Sequence, residues 1–239
     1  SATDSTSTAN YSANNNDTYG SSTDVVFKFG DLVNTDVDND VEYIVVEFGA
    51  RVLNIASNTA GTTRSNTAGY RIGTDTTNRA TTSNVDVRVA EAQITLAKTI
   101  SSLPTPLDAG GVITYQIAFT NSNSVNSAPA FDVVITDVVP SGLTLNTGSV
   151  VTASSGTVLT TTNLSSGNNI TFTVGMVAKN STFIITYTAT ISDVVTSQQI
   201  LSNTSTATWT SLRDVDSNER TYTGVSPNNT YRVTSTATV

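Results

Sequence analysis

Apolar residues along this chain recur at every second position, in short bursts separated by turn formers. Ile94, Leu96, Lys98 and Ile100 share one phase, as do Ile113, Tyr115, Ile117 and Phe119, then Phe131, Val133 and Ile135. Further on come Phe172 and Val174, then Ile185, Tyr187, Ala189 and Ile191, then Leu201, Asn203, Ser205, Ala207 and Trp209. A period of two places alternate side chains on opposite faces of a strand. Clusters such as Asp108-Ala109-Gly110-Gly111, Asn121-Ser122-Asn123-Ser124 and Ser165-Ser166-Gly167-Asn168-Asn169 separate the bursts. No long segment carries apolar residues at i, i+3, i+4 and i+7, so helices are not expected. The pattern predicts an all-β chain whose short strands stack as a two-sheet sandwich.

The pattern also repeats. Val25–Val33 matches Ile170–Val177, and Ile44–Val52 matches Phe183–Ile191. Ser65-Asn66-Thr67 matches Ser202-Asn203-Thr204, and Val87-Arg88-Val89 matches Tyr231-Arg232-Val233. The offsets are 145 (172 − 27), 139 (187 − 48), 137 (203 − 66) and 144 (231 − 87). Ordered matches with small length changes are what tandem domains give. Residues 92–239 are expected to be one complete unit, their last residues leading into a following one. Residues 1–91 match only the later part of a unit. Its opening strands are either cut off, as in an excerpt from a longer array, or supplied by another chain through strand exchange.

Composition narrows the function. The net charge is −8, the pI is near 4.3, and only 13% of residues are charged. Nucleic acid binding would need a Lys/Arg footprint, so no nucleic-acid partner is expected. Nor is membrane insertion, because no apolar run approaches the roughly 20 residues of a spanning helix. Cysteine and histidine are both absent, which removes thiol nucleophiles, Ser-His-Asp triads and His/Cys zinc sites. No paired-carboxylate arrangement suggests acid/base work on an external substrate.

Two residues break the alternation in an informative way. Lys98, one of three lysines, is in phase with Ile94, Leu96 and Ile100, and Asn203 is in phase with Leu201 and Trp209. Both are expected to face the core, where a charged amine is costly unless paired or neutralised. Burial favours the neutral amine, which is a nucleophile. A carboxyl kept protonated in the same apolar site polarises a carboxamide. Attack of Lys98 on Asn203 then releases ammonia and leaves an isopeptide bond that closes a loop of 105 residues (203 − 98). The plainer alternative has Lys98 reaching a sheet edge and Asn203 satisfying a backbone group.

Residues 92–209, and in part 24–70, resemble the DUF11-type and fimbrial isopeptide-forming (D2-type) Ig-like repeats of surface adhesins and pili. The stretches that carry the resemblance are Leu96-Ala97-Lys98-Thr99, Ile113–Asn121, Ala130–Pro140, Leu201–Ala207 and Glu219-Arg220-Thr221. The resemblance implies tandem Ig-like sandwiches and a role for Lys98, Asn203 and one acid. Asp132 sits where that family has its aspartate and is the first expectation. Asp137, in phase with Val133 and Ile135, is the alternative, and a bulge would reconcile the two. Asn66 takes the place of Asn203 in the first unit, with no lysine to match, since Lys28 falls on a different strand. The expected role is structural: a module of an extracellular or cell-surface stalk, adhesin or filament, partnered by neighbouring copies. A carbohydrate- or protein-binding adhesion module without the cross-link is the other reading.

Asp36, Asp38, Asp40 and Glu42 alternate in a loop present in the first unit only. Oxygen-rich loops can hold calcium, but the glycine of the EF-hand pattern is missing, and a solvated acidic loop is the first expectation. No other cofactor is expected.

Overall fold

The computed structural model describes Phe27, Phe29 and residues 31–35, 38–75, 77–225 and 231–239. Asp36, Lys28 and the Ser/Asn-rich start at residues 1–23 lie outside the described residues. The chain forms two compact units, Ser1–Gly49 and Ala50–Val239.

The second unit opens with two small antiparallel pairs. Strand β1 (Thr63–Asn66) pairs with β4 (Val85–Arg88), and β2 (Gly69–Tyr70) pairs with β3 (Ala80–Thr81). Ten strands then build the sandwich. They are β5 (Ile94–Ser102), β6 (Val112–Asn121), β7 (Ala130–Val138), β8 (Leu143–Leu145) and β9 (Val151–Ser155). The rest are β10 (Val158–Asn163), β11 (Asn169–Val177), β12 (Ser181–Ile191), β13 (Ser202–Thr210) and β14 (Arg232–Thr238). One sheet runs β10-β11-β7-β13-β14; the other runs β5-β6-β12-β8, with β9 also on β12. Every pair in the sandwich is antiparallel.

Alternation explains the layers. On β6, Ile113, Tyr115, Ile117, Phe119 and Asn121 are buried and the residues between them are not. On β12 the buried set is Ser181, Phe183, Ile185, Tyr187, Ala189 and Ile191. These faces meet Val133 and Ile135 of β7, Ile170, Phe172 and Val174 of β11, and Ala207 and Trp209 of β13. Burying each Val, Ile or Phe of this set stabilises the fold by about 1.5–3 kcal/mol. The sandwich expected from the sequence is the fold observed. Among the described residues, no helix is long and apolar enough to cross a membrane, which says nothing of crossing by strands.

Two local departures matter. In β7, Val134 pairs with Thr208, but Phe131, three residues back, pairs with Thr210. The extra residue makes a bulge, and Asp132 takes a left-handed backbone there (φ 45°). Ala130 rather than Phe131 therefore faces fully inward. The second departure concerns the strand expected at Ile44–Val52; the other, expected at Val25–Val33, lies partly outside the described residues. Described residues 31–55 form none, and Tyr43 and Val45 are exposed. Their counterparts β11 and β12 owe their regularity to β7 and β6. Residues 1–49 contain no second copy of those partner sequences. A strand without a ladder leaves its backbone to water.

The register revises the repeat. Thr63 pairs with Arg88, as Thr208 pairs with Arg232. These residues are separated by 145 (208 − 63) and 144 (232 − 88), two of the offsets already seen. The same spacing sets Asn58, not Asn66, opposite Asn203 (203 − 58 = 145). Asn58 is buried, while Asn66 lies exposed on β1. The expectation for Asn66 is corrected accordingly.

Candidate functional site

Lys98 comes from the middle of β5, at the edge of one sheet, and Asn203 from β13 in the other. Both point into the space between the sheets, and both are buried. The Lys98 Nζ donates to Asp137 Oδ2 and, at 2.7 Å, to the Tyr187 hydroxyl. Tyr187 donates to the same Asp137 oxygen at 2.8 Å. Asn203 Nδ2 donates to that hydroxyl at 2.7 Å. One phenol oxygen therefore touches the amine, the acid and the carboxamide.

Each element places its group for a local reason. Asp137 lies beyond the bulge, in the inward phase of β7, opposite Ser205 and diagonal to Asn203 on β13. Tyr187 and Tyr115 are register partners on β12 and β6, and their rings stack with centroids 5.4 Å apart. Lys98 Nζ lies 5.0 Å and 5.1 Å from those two ring centroids, a cation–π wall on its apolar side. The β5 backbone is held by Lys98 N–H donating to Ser235 Oγ of β14 at 2.9 Å.

Desolvation pulls Lys98 below the ordinary lysine value, against an opposing pull from Asp137. Burial raises the Tyr187 hydroxyl far above the usual tyrosine range, and Asp137 adds to that. Tyr115 is also raised, by burial first and Asp137 second, with Asn203 pulling it back. Its hydroxyl makes no well-formed hydrogen bond. Asp137 Oδ1 and Asn203 Oδ1 are likewise buried without partners. Both are acceptors left without a donor.

Asp132, the first expectation for the acid, is not here. Its bulge turns it to the outer face of β7, where its carboxylate accepts from Asp214 N–H at 3.0 Å and Thr210 Oγ1 at 3.4 Å. It lines an open depression of about 310 Å³ with Val134, Thr210 and Tyr222. Trp209 is buried and offers no exposed platform for a ligand. Asn58 donates to Leu53 O at 2.8 Å and accepts from Arg64 Nε at 2.7 Å. In the acidic loop, one carboxylate oxygen each from Asp38, Asp40 and Glu42 lies within 4.8 Å of the others, all exposed. Asp38 Oδ1 accepts from Asp40 N–H, and Glu42 Oε1 from Asn34 Nδ2.

Tyr187 was not singled out from the sequence, because it sits in core phase like any strand aromatic. The available signal was that a buried tyrosine hydroxyl needs a partner.

No family model and no curated protein sequence matches the chain. Its fold is similar to several solved structures. The pilus backbone RrgB of Streptococcus pneumoniae aligns at 16% identity over 52% of this chain and 33% of that one, with a TM-score of 0.40. The major pilin subunit BcpA of Bacillus cereus aligns at 14% identity over 74% and 47%, with a TM-score of 0.42. A collagen-binding domain of a Staphylococcus aureus adhesin aligns at 15% identity over 59% and 97%, with a TM-score of 0.36. The chain thus spans a third to a half of the two pilins. At these scores the likeness is one of all-β architecture and decides nothing about partners.

Proposed function

We propose that this chain is a structural module of an extracellular stalk, adhesin or filament, and that its sandwich is stapled by a self-formed isopeptide bond between Lys98 and Asn203. The observation that supports this most is the meeting of a buried amine, carboxyl and carboxamide on one hydroxyl. Asp137 takes a proton from Lys98, which leaves both neutral in a site that disfavours charge. The protonated acid polarises the Asn203 carbonyl, the amine attacks Cγ, and ammonia leaves.

The bond would join β5 of one sheet to β13 of the other. By the loop-closure reasoning used for disulfides, a span of this length contributes about 4–5 kcal/mol. Its mechanical role is larger: tension that peels β5 from the sandwich meets a covalent link that no reductant opens. Neighbouring copies are the natural partners of such a module. Asn58 stands 145 residues before Asn203 (203 − 58), in the same place relative to its strand pair.

Intact mass under denaturing conditions tests the reading. The expected mass is that of the sequence less one ammonia, restored in Lys98→Ala apart from the substitution itself. A chain at full mass would leave only a β-rich spacer.

A further inference from the structure

The step that the proposed bond leaves unexplained is the departure of the amide nitrogen. An amide anion is a very poor leaving group, so Nδ2 must gain a proton before the C–N bond breaks. Asp137 makes no hydrogen bond to Nδ2; the group that touches it is Tyr187, at 2.7 Å. The same hydroxyl is 2.8 Å from Asp137 Oδ2.

We propose, resting on the reading above, that Tyr187 is a catalytic residue of the self-cross-linking reaction and relays a proton from Asp137 to the departing nitrogen of Asn203. The steps balance. Neutral Lys98 attacks Cγ, forming the new C–N bond, while the carbonyl pair moves to Oδ1 and takes the Asp137 proton. The lysine nitrogen, now positive, returns one proton to the Asp137 carboxylate. Attack has made Nδ2 a pyramidal amine with a lone pair, so the hydrogen bond that it donated to Tyr187 reverses. Tyr187 gives its proton to Nδ2 and takes the one held by Asp137. The C–Nδ2 bond breaks as the Oδ1 pair reforms the carbonyl, and the Oδ1 proton passes to Asp137. The products are the amide, ammonia, neutral Asp137 and neutral Tyr187.

The surroundings suit a relay and not a base. Burial and Asp137 hold the tyrosine in its protonated form, so it donates only as it is resupplied. Tyr115, its stacked neighbour, has no hydrogen bond to Asp137 or Lys98 and is left outside the path.

The test follows the fraction of full-length chain that has lost ammonia, by denaturing mass against time after synthesis. Tyr187→Phe keeps the ring and its stacking, and is expected to slow bond formation at least tenfold. Tyr231→Phe is the control: it also removes a buried hydroxyl bonded to a carboxylate, Glu91 at 3.2 Å, and is expected to match the wild-type rate. Where Tyr187→Phe does not fold, 3-fluorotyrosine placed at position 187 alone keeps shape and changes only the hydroxyl's acidity. The rate is expected to shift by severalfold. Wild-type rates in Tyr187→Phe, or in the fluorinated chain, overturn the relay while leaving the bond standing. Absence of the bond from the wild-type chain overturns the underlying reading instead.

Discussion

Two clusters in the second unit bury a cation against a carboxylate, and they are built to opposite ends. Around Arg220 each side-chain nitrogen has an acceptor. Nε donates to Asn54 Oδ1 at 2.7 Å, one terminal nitrogen to Ile55 O at 2.7 Å, and the other to Glu91 Oε1. Glu91 also accepts from Tyr231 at 3.2 Å and, through its second oxygen, from Ala60 N–H at 2.9 Å. Asn54 Nδ2 closes the set on Glu219 O. Around Lys98, the Asp137 and Asn203 Oδ1 atoms have no partner. A guanidinium stays charged and is no nucleophile, whereas a lysine is readily neutralised by burial. The first cluster is a clamp that fixes residues 54–60 and 91 on the sandwich; the second is the site of the proposed cross-link. What separates them is that the unpartnered acceptors around Lys98 belong to the carboxyl and the carboxamide that meet the amine through one hydroxyl.

The asparagines repeat the contrast. Asn121 is as buried as Asn203, yet both of its ends are filled. Its Oδ1 accepts from Gln93 N–H and Ser127 Oγ, and its Nδ2 donates to Ala128 O and Val177 O.

The largest expected effect is at Lys98. Lys98→Met removes the proposed bond and leaves Asp137 in the core without its cation, and is expected to destabilise the sandwich by about 5 kcal/mol or more. Denaturant midpoints measured against wild type check it. Next, Arg220→Ala leaves Glu91 without its cation and Asn54 Oδ1 without its donor, and is expected to cost about 3 kcal/mol. Hydrogen exchange is expected to quicken over residues 54–60 while the ammonia-free mass persists. If that mass reverts, the two clusters are coupled and the contrast fails.

Asn121→Ala leaves several buried backbone and hydroxyl groups unpaired, for an expected cost of about 2 kcal/mol. It too is expected to keep the bonded mass, which a thermal melt and a mass measurement on one sample decide. The smallest effect is at Asn66, exposed on β1. Asn66→Ala is expected to shift stability by no more than about 0.5 kcal/mol. A larger loss there than in Asn58→Ala would restore Asn66 as the counterpart of Asn203.

Much of the sandwich was legible because alternation reports burial directly. β6, β12 and β13 follow their sequence phase, and Lys98 and Asn203 stood out as polar residues in it. The acid was misplaced because a bulge shifts phase by one residue without a signature in the sequence, so Asp132 and Asp137 were separable only by pairing. Asn58 was overlooked because Ser-Asn-Thr occurs twice, at 57–59 and 65–67, and only the strand register tells the copies apart. The strand expected at Ile44–Val52 is absent for a different reason: strand formation belongs to a ladder and not to a segment.

Proteolysis of the denatured chain followed by fragment sequencing bears most directly on the staple. The expected product is one branched peptide in which the Lys98 side chain carries the Asn203 side-chain acyl group, with Asp137 elsewhere and unmodified. Recovery of Lys98 and Asn203 only on separate linear peptides, both of unaltered mass, would contradict it.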